Sequence, residues 1–497
     1  MVGSIGNRLP QAAAQVTKER FLTSMAKLVL INPPLSRYDS RELAPPLGLL
    51  ILASQARARG LEATILDLNL PEYRDLGDNP DRFYKDVLQH ASFQGATEVG
   101  ITSMGVNSHV ALSLAALIDD ELRIPVHVGG PHLSSIGAVA KRLAPYARVW
   151  DGEARTRLSN RDWQHADSPG LTWAGIHELF SGFDLSPYFR ANSRRVANLE
   201  AGRGCRYNCA FCYSPATHDR WITVNPDLVH EAFSALKELG FAHVFLVDDN
   251  LTNDSSWLSD LSVVFRKSPT LSWNGYATVR DLRPEMMERL VSAGCSNLYL
   301  GVDAVAPTLQ KAWRKRFFTS LNEVIQLVAT ASTEGMSITA ALILTPAGGD
   351  APENTTAIDA ALKLRQAGAE IRLSILTPYP GTAVQAGSLS YSEARPAVLM
   401  DLPRVVVENP FARLYPASFP WHAAPSDGTG WEETVLAVSA LQTALMEDDL
   451  ERLPKTATAA WHSAVRAARL VALEPAIHKV DLRGRLREGL QAALEVW

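Results

Sequence analysis

Three of the four cysteines in this chain, Cys205, Cys209 and Cys212, fall in residues 200–215, read Glu-Ala-Gly-Arg-Gly-Cys-Arg-Tyr-Asn-Cys-Ala-Phe-Cys-Tyr-Ser-Pro. Thiolates are soft ligands that select zinc, cuprous copper or iron-sulfur clusters, so a CxxxCxxC spacing points first to a metal site. A structural zinc site asks for four protein ligands, commonly as two separated pairs, and no second pair is present. Three thiolates on a cubane 4Fe-4S cluster would instead leave one iron open to a substrate or cosubstrate. The fourth cysteine, Cys295, follows Gly294 ahead of an apolar run and reads as a small buried residue. Alone it cannot hold an auxiliary cluster, which needs several more thiolates.

Composition narrows the classes. A chain of 497 residues exceeds one ordinary core. Its 46% apolar and 20% charged content is that of a globular protein. A net charge of −5 without a basic block excludes the footprint of a nucleic-acid binder and favours a small-molecule or peptide substrate. The N-terminus lacks the apolar stretch of a signal peptide, and no run approaches the ~20 apolar residues that span a bilayer. Cysteines in an open cluster loop fit a reducing compartment, so a cytoplasmic location is expected. The histidines show neither HxH nor HExxH spacing, which argues against a zinc hydrolase.

The elements that must position these residues alternate. Residues 27–31, 63–68, 98–104, 126–130 and 149–153 read as strands, with helices over 47–59 and 111–122, which implies a parallel sheet covered on both faces. Ligands of such sheets sit outside the carboxyl ends of the strands. Those ends carry Asn32-Pro33-Pro34, Ser103 to Asn107, Gly129-Gly130-Pro131-His132 and Gly152-Glu153. A second alternation has strands at 196–201, 243–247, 272–278, 297–302, 337–344 and 371–376, with helices over 226–239, 284–293, 321–333 and 355–367. The cluster loop, Asp248-Asp249 and Asp303 then fall together at the strand ends, where barrel active sites lie. From residue 385 the alternation stops. Trp431, Val435, Val438, Leu441 and Leu445 recur at helical spacing, and 460–473 and 482–496 show similar amphipathic patterns.

CxxxCxxC with Phe211 before the last cysteine resembles the cluster loop of the radical S-adenosylmethionine (SAM) enzymes. The resemblance implies that an open iron chelates SAM and that the reduced cluster cleaves it to a 5′-deoxyadenosyl radical. It also implies SAM contacts from Phe211, Asp248, Asp249 and Asp303, the last standing in Gly-Val-Asp where relatives usually show Gly-Ile-Glu-Ser. Leu376-Thr-Pro-Tyr-Pro-Gly-Thr resembles the end of the sixth strand in cobalamin-linked members.

Residues 27–155 are similar to the cobalamin-binding domain of that class, through Asn-Pro-Pro, Pro46-Leu47-Gly48-Leu49, Gly-Gly-Pro-His and Asp-Gly-Glu. The similarity implies corrinoid contacts from Asn32, Pro33, Ser103, Asn107, Gly129, Gly130, His132, Gly152 and Glu153. No DxHxxG follows the first strand, so the resemblance implies a corrinoid held without a protein imidazole under cobalt, or else a corrinoid site that has been lost.

The α/β fold so implied has an N-terminal arm (1–26), a doubly wound Rossmann-like cobalamin-binding domain (27–155) and a linker (156–195). A partial (β/α)6 radical SAM barrel (196–384) and a helical C-terminal domain (385–497) follow. The implied activity is that of the class B-type methyltransferases: the deoxyadenosyl radical removes a hydrogen atom from an unactivated carbon, and methylcobalamin delivers a methyl group to a natural-product intermediate. The implied partners are this substrate and a flavodoxin- or ferredoxin-type reductant, with the chain a monomer. Two other readings stay open. One is a rearrangement or cyclisation with cobalamin structural or absent; the other is an iron-sulfur redox or binding protein without turnover.

The missing DxHxxG makes a spectroscopic prediction. Protein supplied with hydroxocobalamin should hold a stoichiometric corrinoid, and its cob(II)alamin electron paramagnetic resonance should show no nitrogen superhyperfine splitting. Splitting would indicate a histidine ligand, and His132 would be the first residue to replace.

Overall fold

The computed structural model describes residues 26–34, 43–74, 80–137, 140–141, 144–150, 152, 175–218, 220–267, 271–315, 318, 320–345, 351–377, 379, 381–384, 431–446 and 456–472. The first sheet has five parallel strands: β1 (Lys27–Asn32), β2 (Glu62–Asp67), β3 (Glu98–Thr102), β4 (Val126–Gly129) and β5 (Arg148–Val149). Their order is β2-β1-β3-β4-β5, so the winding direction reverses between β1 and β3. Right-handed crossovers on either side of that reversal send helices to both faces and open a crevice at the strand ends. Val29, Ile31, Val99, Ile101 and Val128 form the core with Leu114 and Ile118 from the helix after β3.

The second sheet has six parallel strands: β6 (Val196–Leu199), β9 (His243–Leu246), β10 (Ser272–Thr278), β11 (Cys295–Asp303), β12 (Ser337–Leu344) and β13 (Glu370–Ile375). The short pair β7 (Gly202–Arg203) and β8 (Ile222–Thr223) is antiparallel and lies beside the cluster loop. Neighbours in the large sheet follow chain order, so right-handed crossovers put every connecting helix on the same face. The opposite face is the lumen of a half barrel.

Local chemistry explains the helices. Pro226–Glu238 starts at Asn225, whose side chain accepts the N–H of Asp227, and carries a proline in its first turn. It buries Val229, Ala232, Phe233 and Leu236 at helical spacing, and the chain turns out at Gly240 with φ +91°. Phe233 meets Phe265 from the next helix, Ser255–Lys267, and Phe265 meets Trp273 of β10. The Trp273 indole donates to the carbonyl of Ala293 at 2.8 Å, so the largest fully buried side chain has its one polar atom satisfied.

Residues 175–195 bind both units. Tyr188 donates to the buried carboxylate of Asp67 at 2.6 Å, Asn192 donates to the carbonyl of Leu43, and Ile176 and Phe180 enter the barrel-side core. At the far edge, the helices Trp431–Leu445 and Ala457–Ala472 pack on β13 and the helix Pro352–Gln366, with Val438, Leu441 and Leu445 buried. Gln442 accepts from the N–H of Leu373 at 2.6 Å and donates to the carbonyl of Ile371, so it pairs with the open edge of β13 as a strand would. All but the last residue of the expected arm at 1–26, and the expected helix at 482–496, lie outside the described residues. Among the described residues no helix is long and apolar enough to cross a membrane.

Gly130 sits at φ +108°, and a Cβ there would lie 2.5 Å from the carbonyl oxygen of Ser103. Gly130→Ala should destabilise the first sheet by about 2 kcal/mol or more. Gly60→Ala, at φ +78° but in open space, should cost about 1 kcal/mol. Paired thermal unfolding curves would rank the two.

Candidate active site

The loop carrying the three cysteines has little regular structure, and its polar groups are met by the turn after β9. Asp248 accepts the N–H of Ala201 at 2.9 Å and Asp249 that of Gly204 at 2.8 Å. The Asn253 oxygen accepts the N–H of Arg206 at 3.2 Å and the Cys205 thiol at 3.4 Å, while its amide donates to the carbonyl of Gly204. Asn250 braces Asn253 at 2.9 Å and lies 3.8 Å from the Cys205 sulfur. The loop also docks on the segment after β11: the N–H of Ala210 donates to the carbonyl of Trp313 at 2.9 Å, and Phe211 meets the Trp313 ring edge-on at 5.6 Å.

Burial pushes the Cys205 thiol up, that of Cys209 to about 12 and that of Cys212 to about 11. Cys209 also feels repulsion from Asp303, Cys212 and Cys205, so the three sulfurs share one electrostatic neighbourhood. Such thiols are protonated until a metal displaces the protons, and cluster binding is therefore coupled to proton release. Among the described residues no three His, Cys, Asp or Glu side chains converge as for a single ion. A cubane takes its thiolates on separate corners and does not ask for that convergence. The donor set fits a 4Fe-4S cluster.

Asp303 closes β11 at φ +58°, beside a register shift relative to β12, and its carboxylate meets the ammonium of Lys315 at 2.8 Å. Lys315 is buried. Burial, the largest influence, works against its charge, but Asp303 with the thiols of Cys209 and Cys212 outweighs that and holds the ammonium above its ordinary value. The aspartate-for-glutamate change noted in the sequence is thus accompanied by a buried cation beside the cluster loop.

At the ends of the first sheet, Asn32 donates to Asp67 at 2.9 Å, and Asn107 donates to the carbonyl of Pro33 at 3.3 Å and accepts the N–H of Met104 at 2.8 Å. These side chains shape the loops flanking the winding reversal. Gly130 packs directly on Ser103, Gly129 packs on Trp150, and the N–H of Gly152 donates to Ser134 at 3.1 Å. Ser103 is fully buried and its hydroxyl has no hydrogen-bond partner among the described residues. An orphaned hydroxyl at a crevice built from backbone and small residues fits a polar edge of a corrinoid. His132 is buried in the adjoining turn, and Glu153 lies outside the described residues.

The structure therefore brings Cys205, Cys209, Cys212, Phe211, Asp249 and Asp303 to one rim, and Ser103, Gly129, Gly130, His132 and Gly152 to the other. Asp248 is buried against Ala201, and burial holds its carboxyl well above the usual carboxylate range, which makes it a brace for the loop backbone. Asn250, Asn253, Trp313 and Lys315 escape a reading of the sequence. The first two had a signal in the polar run Asp-Asp-Asn-Leu-Thr-Asn; Lys315 lies in Arg-Lys-Arg, which reads as a solvated face. Tyr213, next to Cys212, donates to the carbonyl of Pro131 at 2.7 Å and joins the two rims directly.

A switch-point crevice joined to a half barrel with three thiols at its rim defines a scaffold for a corrinoid and an iron-sulfur cluster. Residues 199–356 match the Radical SAM superfamily and residues 39–158 match the B12 binding domain, together more than half of the chain. The chain belongs to the cobalamin-dependent branch of the radical SAM superfamily and is a radical SAM enzyme, with a 4Fe-4S cluster, SAM and cobalamin as its cofactors. It is 24% identical over 393 residues to an uncharacterized methyltransferase of Pyrococcus horikoshii, covering 72% of this chain and 82% of that one. It is 24% identical over 373 residues to the hopanoid C-3 methylase of Methylococcus capsulatus, covering 68% and 67%. The fold is similar to that of the radical SAM methyltransferase TsrM from Kitasatospora setae, with TM-score 0.58 and 17% identity, over 95% of this chain and 100% of that one. The cobalamin-dependent SAM radical enzyme OxsB gives TM-score 0.56 at 12% identity, over 95% and 72%.

Burial lowers His132 from 6.5 to about 4. Its folded value lies below the unfolded one, so the stability held by the neutral ring is complete above pH 6.5 and is lost as pH falls toward about 4. His132→Gln should flatten the acid limb of a stability curve in that window, as measured by thermal unfolding of the cofactor-free protein at stepped pH.

Proposed function

We propose that the chain is a cobalamin-dependent radical SAM methyltransferase that alkylates an unactivated carbon of a small-molecule or peptide natural-product intermediate. The observation that carries this reading is the contact of Tyr213 with Pro131, which sets the cysteine loop against the Gly-Gly-Pro-His loop of the first sheet. When bound, the cluster supplies the electron for reductive cleavage of SAM and the corrinoid supplies a transferable methyl group.

The chain's own residues bind, orient and exclude water. Cys205, Cys209 and Cys212 hold three irons; Phe211, Asp249 and Asp303 line the SAM side; Ser103, Gly129, Gly130 and Gly152 line the corrinoid side. Asn250 and Asn253 position Cys205 through the contacts given above. Residues 27–155 act as the corrinoid unit and 196–384 as the barrel, closed by 385–497, with a flavodoxin- or ferredoxin-type protein as electron donor and the chain a cytoplasmic monomer. The names borne by relatives support the methyl-transfer outcome, since proteins of P. horikoshii, M. capsulatus, Chlorobaculum tepidum and Rhodopseudomonas palustris are called methyltransferases or methylases.

Joint replacement of Cys205, Cys209 and Cys212 by alanine should abolish iron binding, whereas Cys295→Ala should leave it unchanged. Retention of about four irons per chain in the triple variant would defeat the assignment. Loaded wild-type protein, given SAM, reductant and substrate, should release both 5′-deoxyadenosine and S-adenosylhomocysteine. The first product alone would mark a non-methylating radical enzyme, and neither product a protein without turnover.

A further inference from the structure

Three rings occupy the lumen face of the half barrel: Phe245 on β9, Tyr276 on β10 and Tyr299 on β11. Ring centroids lie 5.2 Å apart for Phe245 and Tyr276, 5.8 Å for Phe245 and Tyr299, and 5.4 Å for Tyr276 and Tyr299. Alternation fixes the side they take. Val244, Leu246, Trp273, Leu298 and Leu300 on the same strands are buried in the core on the helix side, so the residues between them face the lumen.

Tyr276 keeps 41% of its surface exposed, although barrel interiors are normally filled by side chains. Beside the rings the lumen residues are small, Gly301 on β11 and Ala341 on β12, and the two pair in register. Beneath the rings, toward the strand starts, polar side chains bond one another: His243 bonds Ser272 and Asn274, each at 2.7 Å, and Asn297 donates to Ser337 at 2.8 Å and Thr339 at 3.0 Å. Above, a Cβ on Gly301 would meet the carboxylate of Asp303 at 2.9 Å and the ammonium of Lys315 at 3.4 Å. The rings therefore lie on the face that continues, two residues or about 7 Å higher, into the charged pair beside the cluster loop.

We propose that Phe245, Tyr276 and Tyr299 form the floor that receives the substrate, and that this substrate carries a planar aromatic ring system. The inference rests on reading the barrel as the radical SAM active site. A partly exposed ring beside two others offers edge-to-face and offset contacts to a fourth ring. A saturated skeleton would be served as well by aliphatic side chains, and on β9 to β11 this chain places those on the helix side.

The test titrates the cluster- and corrinoid-loaded full chain calorimetrically with 2-naphthol and with decahydro-2-naphthol, which share a skeleton and a hydroxyl but differ in aromaticity. The aromatic probe should bind with one-to-one stoichiometry and about tenfold more tightly than the saturated one, with Tyr276→Ala and Tyr299→Ala each weakening it about tenfold and Tyr276→Phe retaining it. Iron and corrinoid content serve as the check on folding. Tyr276→Leu, at the most exposed of the three positions, provides a second variant should Tyr299→Ala lose its cofactors. Equal binding of the two probes, no binding of either, or binding indifferent to Tyr276→Ala and Tyr276→Leu would overturn the proposal. Naphthol binding without S-adenosylhomocysteine on turnover would count against the methyltransferase reading alone. Full turnover on a ring-free substrate would count against the aromatic floor alone.

Discussion

A loop without regular structure cannot satisfy its own backbone, and this loop must also hold three sulfurs in fixed places. Beyond the one bond it makes within itself, from the N–H of Cys212 to the carbonyl of Cys209 at 3.1 Å, its buried N–H and C=O groups need outside partners. Those partners come from the ends of other strands: Asp248, Asp249 and Asn253 after β9, the carbonyl of Trp313 after β11, and the N–H of Val384 after β13, which donates to the carbonyl of Ala210. The cysteines thus inherit their positions from the barrel as a whole. The acidic turn after β9 serves this first, and only what remains exposed, chiefly Asp249, can face a cosubstrate.

Strand order sets the second level. A sequential parallel sheet gathers its helices on one face and leaves the other hollow, whereas the reversal between β1 and β3 covers both faces of the first sheet and restricts ligands to its end. One sheet therefore offers a lumen and the other a rim. Tyr213 and Tyr188 are among the side chains that hold rim to lumen, one at the reactive ends and one through the segment at 175–195.

Much of this organisation is legible in the sequence, because strand runs bounded by glycine, proline and acidic turns carry their own signal. All six barrel strands start or end within a residue of the run that marks them, while the fifth strand of the first sheet sits at Arg148–Val149, earlier than 149–153 implies. The helix Ser255–Lys267 is obscured by its serines, which weaken helix propensity; Asp254 caps it by accepting the N–H of Ser256 at 2.7 Å, and Trp257, Leu258, Leu261 and Phe265 form its buried stripe. Site residues divide similarly. Thiols announce themselves by spacing, but burial decides whether an aspartate binds a ligand or a backbone N–H, and whether a lysine in a basic run is solvated or paired. Neither Asp248 nor Lys315 could be assigned without the fold.

Gln442 gives the half barrel a different kind of boundary. A parallel sheet that does not close must end on a strand with unpaired groups, and such an edge is an invitation to a strand from another molecule. Here one amide side chain, projecting from a helix, engages both the donor and the acceptor between Ile371 and Leu373. The chain spends a helix rather than a seventh strand on this seam, and in doing so blunts one edge at which sheet-to-sheet aggregation would begin.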